Sequence, residues 1–393
     1  MAERTQVMNR VRVLVRVAAV TALSLACLSS LPGTGHAAEA PLAAAQAALI
    51  TTIVHRAMAA QHIPGLAIEV AVGGHSVYAR GFGMRAPGKH VRASTVFPIG
   101  SITKQFAAAC VVMLAEDHSL DLDSPVSRYL PTAPHGERIT VRQLLDQTSG
   151  LADYSAQPTL QTAVGKDKLN ELRPAQLLAM IASKPLKFTP GTRFDYSNTN
   201  YLLAGMVVQA VSGEPFGTFL RERITEPLRM RETQYLSTSI PTGSNVARGY
   251  SIKHGRAALV PRITMSWAQA AGAIASDTHD LVIWDDAFFH GRVVTPAFVR
   301  TMTTPVKEDY GYGWVIEQVR GQRMIWHNGE IPGAHAMNAF FPRSNMEVVV
   351  ITNLDAAKPE EIAKNVATTL WQQRTPRPAR SAPGSRRGAE RTL

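Results

Sequence analysis

Cysteine is nearly absent from this sequence: Cys27 and Cys110 are the only two among 393 residues. That excludes a disulfide-stapled scaffold and a cysteine-built metal centre. No H-E-x-x-H run and no paired Cys/His spacing occurs, so neither a metal ion nor a cofactor is expected. Charged residues are also scarce, at 18% against 45% hydrophobic. A disordered polyampholyte is thereby excluded, and there is ample apolar surface for a core. The one apolar run, Val17 to Leu31, falls short of the ~20 residues that span a bilayer, which rules out a polytopic membrane protein. No repeat of about 20–50 residues is visible, so solenoids and propellers are excluded as well.

The net charge of +11 invites a nucleic-acid reading until it is located. Residues 1–37 hold Arg4, Arg10, Arg12 and Arg16 against Glu3, and residues 374–393 hold six arginines against Glu390. The body between them carries only +3, too little to attract a polyanion, and no nucleic-acid partner is expected. Arg10, Arg12 and Arg16 followed by the apolar run, Pro32–Gly33 and Gly35-His36-Ala37 form a secretory pattern. Residues 1–37 therefore read as a signal peptide, giving a periplasmic or secreted protein with no stable membrane insertion after processing. The alternative is a lipoprotein anchored through Cys27, since Leu25-Ala26-Cys27 partly matches a lipobox. Cys110 lies among Ala107, Ala108, Ala109, Val111 and Val112, and packing in an apolar helix is its expected role.

Along the mature chain, residues 42–61 show helical apolar spacing, stopped by Pro64–Gly65. Leu66–Val72, Gly73–Gly74 and Ser76–Phe82 read as a β-hairpin. A helix is expected from Ser101 to about Glu116. Residues 136–264 are mostly helical in pattern. Strand patterns resume at Tyr312–Val319, Arg323–His327, Ala334–Phe341 and Glu347–Thr352, before a last helix over Lys358–Gln373. Sheet material at both ends with helical material between predicts an α+β fold closed by its two termini. The expected organisation is one domain over 38–373, with a sheet part at about 41–135 and 265–373 and a helical insertion at about 136–264. The Pro/Arg/Ser-rich tail, 374–393, is expected to be disordered.

Three short motifs carry chemistry. In Ser101-Ile102-Thr103-Lys104, helical i,i+3 spacing lays the lysine over the hydroxyl. A buried lysine gives up its proton more easily and can take one from serine. Ser101 would stand at a helix start, where unpaired N–H groups stabilise a developing oxyanion. Alone, the motif also describes a helix-capping serine beside an exposed lysine; of the ten lysines, though, only Lys104 has serine three places before it. Tyr196-Ser197-Asn198 supplies a phenol that can act as base and then acid beside a lysine, and an amide that can bind a substrate or the lysine. His327-Asn328-Gly329 ends a strand pattern; its glycine admits a close backbone approach, and an edge strand there can offer N–H and C=O groups to an extended ligand.

These motifs, in this order, resemble the serine β-lactamase and penicillin-binding protein superfamily. The resemblance is closest to its class C-like branch of β-lactamase-related esterases and D-peptidases. Phe97-Pro98-Ile99-Gly100-Ser101, Leu144 to Leu151, Pro190 to Asn198 and Gly311-Tyr312-Gly313-Trp314 add to it, and the match spans about 45–370. The resemblance implies a β-lactamase/transpeptidase-like fold, a central antiparallel sheet flanked by helices with an inserted, mostly helical domain. It implies that Ser101 is acylated and then freed by water, and that Lys104 and Tyr196 share the proton transfers. Asn198 and His327 would orient the substrate. Gly329 precedes Glu330, whose N–H would complete an oxyanion hole with that of Ser101. Two departures stand out. His327 replaces the lysine usual in β-lactamases, and Glu330 is acidic where a small residue is usual.

The expected function is an exported serine hydrolase acting through an acyl-enzyme on small esters, amides or peptides, esterase-like or D-amino-acid peptidase-like. The alternatives are a β-lactamase or DD-carboxypeptidase, and a non-catalytic protein that binds peptidoglycan or an acyl ligand.

Overall fold

The computed structural model describes residues 42–165, 168–239 and 245–374. The signal-peptide reading of 1–37, Cys27 and the tail from 375 onward lie outside the described residues. Within them, no helix is long and apolar enough to cross a membrane.

The chain opens with α1 (Ala44–Gln61), whose Ile50 and Val54 are fully buried. It turns through β1 (Gly65–Val72), β2 (His75–Ala86) and β3 (Lys89–His90), then runs through β4 (Phe97–Pro98) into α2 (Thr103–Glu116). A helical stretch follows, with α3 (Val141–Leu145), α4 (Pro158–Ala163), α5 (Pro174–Ala179), α6 (Asn198–Ser212) and α7 (Phe216–Leu220). The chain goes on through β5 (Gln234–Tyr235), the hairpin β6 (Tyr250–Lys253) and β7 (Arg256–Leu259), α8 (Gln269–Gly272), β8 (Ile274–Ser276), α9 (Thr278–Phe289) and α10 (Pro296–Met302). It closes with β9 (Val315–Val319), β10 (Gln322–Ile331), β11 (Ala334–Phe341), β12 (Met346–Thr352) and α11 (Pro359–Arg374).

The main sheet has seven strands in the order β3-β2-β1-β12-β11-β10-β9, every pair antiparallel. The first and last long strands meet at its centre, Leu66 opposite Thr352 and Val72 opposite Met346. Both faces of β1 are covered, so its sequence reads as a continuous apolar run rather than an alternation. Leu66, Ile68 and Val70 face a core shared with α1 and with Ile362, Val366 and Leu370 of α11. Ala67 and Ala71 face a second core with Phe106 of α2 and Trp284 of α9, whose rings stack 4.0 Å apart. Cys110 is fully buried there, and burial pushes its thiol pKa well up, so it is inert packing.

Two differences from the sequence reading have local causes. The hairpin β6–β7 interrupts a stretch read as mostly helical; its Lys-His-Gly-Arg turn takes His254 and Gly255 into positive φ, a two-residue hairpin signal. Strand β10 runs past His327 to Ile331, because its pairing with β11 continues through Gly329 to Ile331 opposite Ala334.

Candidate active site

Strand β4 delivers the chain to Gly100, which sits at φ +53 in a 3-10 turn over Gly100–Ile102 ahead of α2. That turn touches β10 backbone to backbone. A Cβ on Gly329 would lie 1.8 Å from the Ile99 carbonyl oxygen and 2.9 Å from the Ser101 nitrogen. A Cβ on Gly100 would lie 2.8 Å from the Glu330 nitrogen. Glycine at both places brings the amides of Ser101 and Glu330 to one side of the same narrow gap. Pairing of β10 with β9 stops at Trp326, so the edge from His327 onward is open on that side.

Lys104 is fully buried, one turn into α2 from Ser101. Its Nζ lies 2.9 Å from Ser101 Oγ, 2.9 Å from Asn198 Oδ1 and 2.7 Å from the Ala271 carbonyl of α8. The Asn198 amide is held in that orientation because its Nδ2 donates to Ser155 Oγ (2.9 Å) and Asp153 Oδ2 (3.2 Å). Burial brings the Lys104 pKa down to about 7, with Asp153 pulling it partly back. A neutral amine keeps two N–H bonds and one lone pair. Two of the three partners, a carbonyl and an amide oxygen, can only accept. The lone pair is therefore left facing the Ser101 hydroxyl.

Tyr196 donates from its hydroxyl to Ser101 Oγ at 2.8 Å, from the side opposite in sequence but adjacent in space. Burial, then the neighbouring Tyr310, push its pKa well above the ordinary phenol value, and the bond to Ser101 opposes this only in part. The expected phenol-to-lysine proton loss is thus reversed in the free protein. Lys104 is the group that empties, and Tyr196 is the one that stays protonated.

The segment around Tyr196 is fixed by Gln147, which accepts from Ser197 N at 3.0 Å and Asn200 Nδ2 at 2.5 Å and sits at φ +62. That left-handed, non-glycine backbone is the kind of strain a surrounding network holds in place near a site.

His327 departs from its expected role. It is 2% exposed and does not line the pocket over Ser101. Its Nδ1 donates to the Asn328 carbonyl at 2.5 Å, which leaves Nε2 to accept from the Tyr310 hydroxyl at 3.2 Å. Burial, with Lys104 nearby, lowers its pKa to about 3. The ring is neutral, fully occupied and packed 6.3 Å from the Tyr196 ring. It supports the tyrosines rather than orienting a substrate. The Gly329 and Glu330 backbone lies against the Ser101 turn.

The pocket, about 380 Å³, is lined by Ser101, Asn198, Tyr154, Ser155, Trp267 and Ile331, with Glu330 and Asp355 among its rim. Among the described residues, no lysine or arginine side chain lines it. Sequence reasoning missed Asp153, Tyr154, Ser155, Tyr310 and the Ala271 carbonyl. The Asp153-Tyr154-Ser155 run follows directly on the Thr148-Ser149-Gly150-Leu151 segment that was noticed, and a polar-aromatic triplet in a loop was the available signal. A main-chain carbonyl leaves no signal at all.

This arrangement can be set beside known proteins. The beta-lactamase family model matches residues 50–370. Protein flp of Staphylococcus aureus is 25% identical over 338 residues, 82% of this chain and 66% of that protein. The chain thus spans a little under two thirds of that relative's length. The D-stereospecific amidohydrolase from Streptomyces sp. superposes with a TM-score of 0.72 at 28% identity, covering 81% of this chain and 97% of the other. The octameric penicillin-binding protein homologue from Pyrococcus abyssi gives 0.73 at 26% identity, covering 83% and 77%. With the matched residues enclosing the main sheet, the Ser101–Lys104 turn and Tyr196 alike, the chain belongs to the beta-lactamase family of serine hydrolases.

Proposed function

We propose that this protein is an exported serine hydrolase that cleaves small esters and amides, with no carboxylate beside the scissile bond, through an acyl-enzyme on Ser101. The observation that carries this reading is the bonding of Lys104: its two acceptor-only partners direct the lone pair of the neutral amine at Ser101 Oγ. In acylation, Lys104 takes the Ser101 proton as Oγ bonds to the substrate carbonyl carbon. The oxyanion forms between the N–H groups of Ser101 and Glu330. The carbon–leaving-group bond then breaks as Tyr196 gives its proton to the departing oxygen or nitrogen, and the proton held by Lys104 returns to Tyr196. In deacylation, water loses a proton to the reset pair and Ser101 Oγ leaves with one.

Glu330 and Asp355 at the rim, with no cation to balance them, disfavour a carboxylate next to the scissile bond. That supports esters and amides over β-lactams or peptides ending in D-Ala. The likeness to a D-stereospecific amidohydrolase supports D-configured amides within that class. Export rests on the charged, apolar and small-residue order of residues 1–37, with cleavage near Ala38.

A fluorophosphonate probe tests the nucleophile. Labelling of wild type with none in Ser101→Ala is expected, and equal labelling of both overturns it. Substrate class is tested with short aryl esters, D-amino acid amides and a chromogenic cephalosporin. Efficient cephalosporin cleavage without esterase or amidase activity overturns the preference. N-terminal sequencing of the exported protein tests processing.

A further inference from the structure

Pro332, on the turn between β10 and β11, lines two cavities. One is the pocket over Ser101; the other, about 260 Å³, has the opposite character. Its floor is apolar, with Phe97, Val246 and Ile263 buried. Gly249 and Gly333 meet within that floor. A Cβ on Gly333 would lie 2.6 Å from the Gly249 Cα, so the two backbones pass too close for a side chain there. Its walls carry Arg85, Lys89, Arg248 and Arg262, and among the described residues no acidic one lines it. Arg92 extends the same sign alongside Arg85 and Lys89.

Gathering Lys89, Arg248 and Arg262 around one small cavity is unfavourable by mutual repulsion unless something anionic balances them. Lys89, Arg248 and Arg262 make no ion pair with any described residue. The fold nevertheless holds the cations together. Arg248 N donates to the Arg85 carbonyl at 2.7 Å. Asn353 Nδ2 straps the same two segments, donating to the carbonyls of Met84 (2.9 Å) and Arg248 (3.1 Å). The cavity is part-enclosed and partly apolar, so it suits a single anionic group on an apolar arm, whereas a polyanion needs an open strip of charge.

We propose that this groove is a second subsite for the molecule that Ser101 attacks. It takes a distal carboxylate or phosphate carried on an apolar arm, while the ester or amide bond lies in the pocket over Ser101. The proposal rests on the hydrolase reading above. It assigns the protein a charge-position rule. An anion beside the scissile bond meets Glu330 and Asp355 and is rejected, and an anion one arm's length away meets Arg248 and Arg262 and is retained.

The test uses p-nitrophenyl monoesters of α,ω-dicarboxylic acids of increasing length, each paired with its ω-methyl-ester-capped analogue. One chain length is expected to show a clearly lower KM for the free carboxylate, fading as salt is raised. The Arg248→Ala/Arg262→Ala double variant should raise that KM about tenfold, the worth of one lost charge-assisted contact, and leave the capped ester within about twofold. The capped ester thereby controls for folding, and the salt dependence of wild type reads the same interaction with no substitution. Absence of preference at every length, or a preference that survives the double variant, overturns the proposal. So does an effect of inorganic phosphate on capped-ester turnover with no preference for the linked carboxylate, which marks an independent anion site. Calorimetry on Ser101→Ala separates the two readings. Tighter binding of the free carboxylate than of its capped partner supports the groove even if wild type hydrolyses neither ester. Equal binding overturns the groove even if wild type hydrolyses both.

Discussion

Lys104 and Gln105 are neighbours in α2, both fully buried, and each heads a polar cluster that the fold treats in the opposite way. Around Lys104 the amine and the Asn198 side chain have all their partners. Around Gln105 they do not. Gln105 Oε1 accepts from Trp284 Nε1 and Asn338 Nδ2, and Asn338 Nδ2 also donates to Asp285. Gln105 Nε2, Asn338 Oδ1 and Asp285 Oδ2 have no partner among the described residues, and the buried Glu347 carboxyl has no side-chain partner there. Burial shifts pKa values in both clusters. In the first it empties a base that the serine can use. In the second it keeps acids protonated, pushing Glu347 up to about 9 and Asp285 well up. Desolvation acts alike on both; only a complete set of partners makes it useful, and without one it costs stability.

The strongest way to break this comparison is at the first cluster. Ser101→Ala should abolish acylation, and Lys104→Ala should remove nearly as much, several orders of magnitude in single-turnover rate, because the pair acts as one unit. Lys104→Arg should not rescue, since a guanidinium keeps its proton. Tyr196→Phe should keep the fold and lower kcat by about 10²–10⁴ through loss of the leaving-group acid, read on a series of leaving groups of different basicity. An unchanged rate would leave Lys104 to do both jobs.

The second cluster should answer in stability rather than rate. Below about pH 4.5 Glu347 is protonated folded and unfolded alike. As pH rises toward 9 the unfolded chain ionises while the folded carboxyl stays neutral, so folding loses stability across that window. Glu347→Gln removes the ionisation and should raise stability at pH 8 by roughly a few kcal/mol relative to pH 4, read by urea unfolding at both. A parallel loss at both pH values would mean that packing, not charge, decides.

Two finer effects sharpen the contrast. Acylation should rise from acid to alkaline pH with an apparent pKa near 7. Asp153→Asn removes the charge that pulls Lys104 upward, so the limb should move to lower pH, measured as the pH profile of kcat/KM. Glu330→Gln should improve kcat/KM for substrates with a carboxylate near the scissile bond by about fivefold at low salt and less at high salt.

What could be read from sequence follows what each residue type advertises. Leu66–Val72 and Ala334–Phe341 declare themselves by β-branched and apolar density, and the structure places both as central strands. Ser101, Lys104, Tyr196 and Asn198 form one chain of hydrogen bonds because two motifs fix their local frames. His327 was legible as a position but not as a buried, neutral ring, since that state depends on burial and on Lys104, far away in sequence. The Ala271 carbonyl that completes the lysine's bonding belongs to the backbone and carries no side-chain signature. The groove of arginines is drawn from segments near 85, 248 and 262, a clustering that only the fold creates.

The pairing of β1 with β12 has a consequence for how the chain is made. Strand β1 is synthesised early, yet its neighbour at the centre of the sheet is the last strand to leave the ribosome, Leu66 waiting for Thr352. Until then β1 and β2 form at best a lone hairpin, which is marginal in water. Contacts this distant in sequence slow folding. The two halves of the sheet therefore cannot join until the chain is almost complete. The same wiring means that a chain released short of residue 346 lacks the strand that joins its two halves.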